Sequence, residues 1–177
     1  ELVEKKLGDM KSKAPQVFKN AVNKTARQAR KRIAQSAKGA YTVKQVGFNS
    51  HMKIKNASTG NLTASVDADG KPLTLVRFKN RAGRPKKGGA AAAADIVNGG
   101  LKQLVSSQGG KAFKRNGLVM QREGKDRLPV KVFHSNSVPK MVEKVYQGER
   151  GMAGALKEPI QSDLRKNLEA EIKKIVG

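Results

Sequence analysis

The 177-residue sequence contains no cysteine, no tryptophan and few acidic residues. Without cysteine the chain can form no disulfide bond, no thiolate-ligated zinc site and no thiol nucleophile. Because five Phe and two Tyr are its only aromatic residues, the hydrophobic core must be built largely from Ala, Val, Leu and Ile. No apolar run approaches the roughly 20 residues that a transmembrane helix needs, and no signal-peptide pattern opens the sequence. We therefore expect a soluble protein with no membrane partner that stays inside the cell or particle that made it.

The scarcity of acidic residues gives the chain a formal net charge of +23, from 37 Lys plus Arg against 14 Asp plus Glu. This excess is uneven along the sequence. No acidic residue lies between Asp9 and Asp67, and a second acid-free stretch runs from Gly70 to Ala94, whereas the sequence from Glu143 onward mixes both signs. Like charges at this density repel one another unless an anionic partner or counterions screen them. We therefore expect the N-terminal half and the central stretch to face an anionic partner.

The N-terminal part of the chain has the strongest helical pattern. A short helix is predicted from Leu2 to Met10, and a longer one from about Pro15, which suits a first helical turn, to Ala37, with Gly39 ending it. Apolar residues of the longer helix recur every three or four positions: Phe18, Val22, Ala26, Ala29, Ile33 and Ala37. Four basic residues nearly opposite are candidate contacts for DNA or another anion: Lys24, Arg27, Lys31 and Lys38.

Strand patterns follow in the middle of the chain. Thr42 and Gln45 match a capping box, which predicts a short helix from Val43 to about Asn49. Strands are predicted at residues 52–55, 62–66 and 73–78, as an antiparallel meander with a hairpin turn at Asp69-Gly70. Further short strands are predicted at residues 95–98, 111–113, 118–122 and 130–133.

The C-terminal part of the chain returns to helical patterns. Ser137-Val138-Pro139 predicts a helix start, and Pro159 opens a final helix with an apolar stripe: Ile160, Leu164, Leu168, Ile172 and Ile175. Together the patterns predict one α+β domain over residues 1–177. In it, a central antiparallel sheet of short strands is flanked by a long N-terminal amphipathic helix and C-terminal helices.

Residues 80–94 form a low-complexity stretch, in which we predict a flexible basic loop rich in Gly, Pro and Ala. Its basic residues complete the set of candidate contacts with DNA or another anion: Arg81, Arg84, Lys86 and Lys87. The tripeptide Arg84-Pro85-Lys86 after Gly83 resembles part of an AT-hook, a minor-groove motif built on Arg-Gly-Arg-Pro. Ala82 stands where that motif has its first arginine, so the residues support phosphate contact without reading of the base sequence.

The residues that catalysis would require are scarce. His51 and His134 are the only histidines, and neither has a partner at metal-ligand spacing. The sequence contains no phosphate-binding glycine loop and no nucleophile elbow. Asp67 and Asp69 would share one side of a strand and could hold a cation, but turn chemistry beside Gly70 is the favoured interpretation. We predict that the protein is not an enzyme and has no cofactor, metal site or small-molecule substrate.

Two interpretations of the basic segments stay open from composition alone. One is binding to the phosphates of nucleic acid without sequence preference, as in a free ribosomal or nucleoid-like protein. Because the basic segments have almost no aromatic residues on which bases could stack, they do not favour single-stranded DNA or RNA. The other interpretation is a solvated cationic surface with no nucleic-acid partner.

The order of several segments is more specific. An alanine-rich amphipathic helix is followed by a Thr-Val-Lys start at Thr42 and a Gly/Lys-rich insertion. Three short segments then occur in order: Ala-Phe followed by Asn-Gly at 112–117, Arg-Glu-Gly-Lys-Asp-Arg-Leu-Pro at 122–129, and Ser-Val-Pro-Lys-Met at 137–141. This layout, which spans about residues 14–145, resembles the minor tail protein Z family of long-tailed phages, also called tail completion proteins.

The resemblance implies a non-enzymatic structural protein of the virion. It would act at the head-proximal end of the tail, in the neck where tail and head connector join, after assembly in the host cytoplasm. Its implied partners are other phage tail and neck proteins and further copies of itself in a ring, with the cationic face toward DNA or acidic tail components. The mixed charges of the last helix favour such an assembled subunit over a free nucleic-acid-binding protein with long basic tails.

Overall fold

The computed structural model describes residues 2–44, 46–81, 90–106, 110–149 and 155–176. Within these ranges three helices and eight short strands alternate with irregular segments, which confirms the predicted α+β class. In chain order they are α1 (Leu2–Ala40), β1 (Met52–Lys55), β2 (Ser65–Ala68), β3 (Lys79–Arg81), β4 (Ala93–Asp95), β5 (Lys102–Gln103), β6 (Phe113–Arg115), β7 (Leu118–Arg122), β8 (Val130–Val132), α2 (Val138–Gln147) and α3 (Lys157–Val176).

The strands form three small antiparallel sheets where the sequence predicted one. Strand β1 pairs with β2, β3–β4–β5 form a second sheet, and β6–β7–β8 form a third. In the first sheet Met52 lies opposite Ala68, and Lys55 lies opposite Ser65. The long helix α1 packs against α3, α2 and the first sheet.

Helix α1 is one continuous helix of 39 residues, about 58 Å long, so the predicted break before Pro15 is wrong. A proline inside a helix removes only one backbone hydrogen bond. The residues before it, Lys11 to Ala14, include no glycine or second proline, so the helix continues through Pro15. Gly39 does not end the helix either. The backbone amide of Asn98 donates to the carbonyl of Ala40 at 3.0 Å, and the Asn98 side chain donates to the carbonyl of Gly39, so a distant residue caps the last turn.

The predicted helix from Val43 to Asn49 is wrong, because the Thr42 hydroxyl is used elsewhere. It donates to the carbonyl of Asp95 in β4 and accepts from the amide of Lys79 in β3 at 3.2 Å. A 3-10 turn forms instead over Phe48–His51, and Gln45 lies outside the described residues.

The predicted meander is correct only in its first strand. Strand β2 starts three residues later than predicted and pairs with β1, so Asp69-Gly70 is no hairpin turn between strands. The segment 73–78 contains a 3-10 turn at Leu75–Arg77. Leu75 and Phe78 are buried in the core, and Thr74 forms an isolated antiparallel bridge with His134. The apolar character of this segment therefore reflects mainly burial in the core.

The predicted basic loop is bounded by strands. Its first residues belong to β3 and its last to β4, and Ala91 to Ala94 are buried. Residues 82–89 between them lie outside the described residues. Strand β7 has the predicted bounds, and β8 ends one residue before its predicted end. Strands β4 and β6 share only one residue each with their predicted strands, Asp95 and Phe113, and β5 was not predicted.

The last two helices begin at or near the residues at which the sequence predicted helix starts. The side chain of Ser137 accepts a hydrogen bond from the amide of Lys140 at 3.4 Å and caps α2, which ends at Gly148 in the left-handed conformation (φ 72°). Helix α3 begins two residues before Pro159. The core is rich in Ala and Val, as predicted, but the buried residues include more Met, Phe and Tyr than Leu and Ile; the largest fully buried side chains are Phe78, Met141, Val119, Val138 and Val145.

Candidate cationic surface on the first and last helices

The four basic residues predicted on the N-terminal helix lie together on α1, and all four are exposed. At about 100° per residue they fall within an arc of about 60°, over about 21 Å of helix. No acidic residue occurs in α1 after Asp9. We call this set the cationic row: Lys24, Arg27, Lys31 and Lys38.

The loop candidates are placed differently. Arg81 is exposed at the end of β3, opposite Ala93 in β4. The other three, Arg84, Lys86 and Lys87, lie outside the described residues, and so does the tripeptide that resembles an AT-hook. The structure therefore brings together the four candidates of α1 and leaves the loop candidates as predictions.

The opposite side of α1 faces an apolar groove of about 760 Å³. Helix α1 contributes Val22, Ala26 and Ile33, and α3 contributes Ile160 and Leu164. The remaining lining comes mainly from the first sheet and from α2: Met52, Ala64, Val66, Ala68, Ser137, Pro139, Lys140, Val142, Glu143 and Tyr146, together with Thr25 and Ala29 of α1. Both helices therefore have one side at the groove and one side turned away from it.

Helices α1 and α3 run antiparallel and meet through polar side chains. The amide of Asn167 donates to the Thr25 hydroxyl at 2.9 Å and to the Gln28 side-chain oxygen at 2.7 Å. At one end Asn20 donates to Glu171 at 3.3 Å, and at the other the Arg32 guanidinium donates to Asp163 at 2.6 Å. Asn167 and Glu171 are only 5% and 9% exposed. We call these contacts the polar α1–α3 interface.

This interface takes two carboxylates of α3 away from solvent. A hydrogen bond from Lys174 is the main cause that lowers the pKa of Glu171 below its ordinary value, and burial opposes it. A hydrogen bond from Asn20 and the positive charge of Lys24 lower the pKa further. One member of the cationic row therefore already interacts with the acid that α3 turns toward α1.

The outer side of α3 adds cations that the sequence interpretation missed. Lys166 and Lys173 are exposed, and helical periodicity puts them on the side of α3 opposite Leu164. Like the cationic row on α1, they lie on the side of their helix that is turned away from the groove, with the exposed Glu169 between them on the same side of α3. From the sequence alone, the last helix shows only a mixture of basic and acidic residues. The signal that could have revealed its cationic side is the spacing of its inward polar residues, Asp163, Asn167 and Glu171, at steps of four.

The acidic residues of the first sheet form cross-strand ion pairs. Lys55 lies 2.7 Å from Asp67, and Lys53 lies 3.3 Å from Asp69. Hydrogen bonds from Lys55 and Ser65 lower the pKa of Asp67, and the same partner raises the pKa of Lys55. The structure therefore gives both carboxylates basic partners across the sheet, where the sequence had favoured turn chemistry.

The described part of the chain offers neither a metal site nor a membrane-spanning helix. Over those ranges, no group of three or more His, Asp or Glu side chains is arranged to hold a metal ion. No helix of the described residues is long and apolar enough to cross a membrane.

Comparison with known proteins gives one result that covers almost the whole chain. No curated protein and no solved structure matches it. A family model described as prophage minor tail protein Z (GPZ) matches residues 3–176. The predicted resemblance is thereby confirmed, and it extends beyond the segments on which it was based. The chain belongs to the prophage minor tail protein Z family.

Proposed function

We propose that this phage tail protein is a tail completion protein, which joins tail to head at the head-proximal end of the tail. The family match over residues 3–176 carries the proposal, because it makes the chain a structural protein of a phage tail and a component of the virion. In this role the protein is an assembly part and not an enzyme. Its partners are other tail and neck proteins, which it meets in the host cytoplasm during assembly.

The cationic row faces DNA or acidic tail components in the assembled neck. What supports this is the exposure of all four cations on one side of α1, together with the exposure of Lys166 and Lys173 on the side of α3 away from the groove. Asp163 pairs with Arg32, which is outside the row, and Glu171 is held in the polar α1–α3 interface, where Lys24 is the member of the row that acts on it. The surface therefore presents positive charge over about 21 Å of helix, which suits phosphates or carboxylates.

Copies of the chain associate in a ring. Exposed apolar residues at several places on the surface support self-association, among them Phe18 and Ile172. Strands β1, β3 and β6 are also outer strands of their sheets, and outer strands can pair with a strand of another copy. A closed ring requires two different surfaces that fit each other in sequence around the axis.

Complementation of a phage that lacks the gene tests the proposal. The wild-type protein should restore joined, infectious particles, whereas without it tails and filled heads should accumulate separately. A variant with the cationic row changed to glutamine should fail to restore them. A control that removes four exposed charges elsewhere should succeed: Lys102, Lys125, Arg127 and Lys131.

Measurements on the purified chain separate this function from the alternative. Size-exclusion chromatography with light scattering, at low and high salt, should give one discrete oligomer. A monomer that shifts duplex DNA with a steep salt dependence, and that is missing from virions, would instead identify a free nucleic-acid-binding protein.

A further inference from the structure

Large apolar side chains are exposed in the apolar groove and close in sequence to the residues that line it. Phe18 lies one turn before Val22 on α1 and is 42% exposed, and Tyr146 of α2 lines the groove and is 39% exposed. Leu62, two residues before Ala64, is also exposed, and so is Ile172, two turns after Leu164 on α3. Single exposed apolar residues are ordinary, but an exposed aromatic side chain in an apolar groove, with further exposed apolar residues in the segments that line it, indicates a binding surface.

The charges at the groove do not select a charged partner. Lys140 and Glu143 of α2 line it and pair with each other at 3.3 Å. The remaining lining is mostly aliphatic. The occupant should therefore be an apolar surface, and the walls formed by α1, α2 and α3 suit the apolar side of a helix.

The first turns of α1 extend beyond the end of α3, the helix that packs along α1. Glu171 of α3 lies opposite Asn20, and α3 ends five residues later at Val176, so it reaches only to about residue 15 of α1. About 20 Å of helix, residues 2–14, lies beyond that point. Gly8, Lys11, Ser12 and Lys13 are exposed there.

This N-terminal segment has the composition of a helix that binds in a groove. Helices of this length are only marginally stable alone in water, and Gly8 and Pro15 lower the helical propensity further. The sequence places apolar residues at helical steps of four, three and four: Val3, Leu7, Met10 and Ala14. The segment continues the part of α1 that packs on α3, so an apolar partner would extend an existing interface.

We propose that the apolar groove of one copy receives residues 2–14 of α1 from a second copy. The inference rests on the self-association in the proposed function and names the contact that produces it. Donor and receptor are different parts of the same subunit, so the contact is heterologous and repeats from copy to copy, as a ring requires.

Disulfide cross-linking tests the contact cleanly, because the chain has no native cysteine. The test variant carries Met10→Cys and Tyr146→Cys. Position 10 is about 18 Å along α1 from Val22, the first groove residue on that helix, whereas a disulfide needs Cα atoms within about 7 Å. A bond that joins two copies is recognised on a non-reducing gel, because it doubles the mass of the product, whereas a bond within one copy leaves the mass unchanged. Oxidation should give dimers and higher multimers that a reductant dissolves.

The matched control carries Met10→Cys and Leu101→Cys. Leu101 is as exposed as Tyr146, at 39%, but does not line the groove. We expect at least tenfold less cross-linking in the control. Equal cross-linking of the two variants would overturn the inference.

A second variant, Leu7→Asp, separates this contact from folding and from the proposed function. The thermal midpoint of the monomer should stay unchanged, while the discrete oligomer should be lost. If Leu7→Asp leaves the oligomer intact, the groove contact is wrong although ring formation stands. A wild-type chain that is monomeric at all concentrations overturns the contact, and binding of an apolar dye in the groove would then indicate a small apolar ligand.

Discussion

Replacing Asn167 with alanine tests how α3 is seated on α1. Asn167 is 5% exposed, and its amide donates to Thr25 at 2.9 Å and to Gln28 at 2.7 Å. Each hydrogen bond contributes about 1 kcal/mol net, and the buried Thr25 hydroxyl loses one partner, so the loss is about 2–3 kcal/mol. The better helical propensity of alanine offsets about 0.5 kcal/mol.

The net destabilisation is therefore about 2 kcal/mol, which for a chain of this size lowers the thermal midpoint by about 4–8 °C. Circular dichroism of helix content against temperature measures it. Gln161→Ala, at an exposed position of the same helix, is the control and should change the midpoint by less than about 2 °C. If Asn167→Ala is as stable as this control, the described register of α1 against α3 is wrong.

Three further predictions concern charge. The pKa of Glu171 is lowered in the folded state, so its contribution to stability is present above the ordinary carboxyl pKa and is lost as pH falls through the native pKa. The Glu171→Gln variant lacks this contribution. Between about pH 7 and about pH 3 its free energy of unfolding in urea should therefore fall by less than that of the wild type. Changing the whole cationic row to glutamine should leave the thermal midpoint within about 2 °C and should reduce the salt dependence of any binding to duplex DNA by about 3–4 in slope, as measured by fluorescence anisotropy; an unchanged slope would show that these residues contact no phosphate. A serine variant of the loop candidates should fold normally, and a large loss of thermal stability would show that the loop is misassigned: Arg81, Arg84, Lys86 and Lys87.

The parts of the fold that follow from local signals could be predicted from the sequence. The cap at Ser137 lies next to the residues it organises, and the bounds of β7 follow from its own alternation. The cationic row also follows from sequence, because four basic residues at helical spacing must share a side of any straight helix. No distant contact is needed for these features.

The sequence predictions are wrong where contacts with residues distant in the sequence determine the local structure or the burial of a side chain. Thr42 matches a helix cap, but its hydroxyl bonds to β3 and β4. On α3 the apolar stripe predicted burial of Ile172, which is 43% exposed, whereas Asn167 and Glu171 are buried because α1 supplies their hydrogen-bond partners. The basic and acidic residues of α3 are nearly equal in number, but two of the acids, Asp163 and Glu171, contact α1. Lys166 and Lys173 could therefore be assigned to the cationic surface only once the position of α3 against α1 was known.

The position of the protein in the virion tests the central claim most directly. An electron-microscopy reconstruction of intact particles, with a tag fused to this chain and untagged particles as the control, would show its place and copy number. The account predicts a ring of tagged density at the head-proximal end of the tail. Density at the distal end of the tail, or its absence from intact virions, would contradict the account.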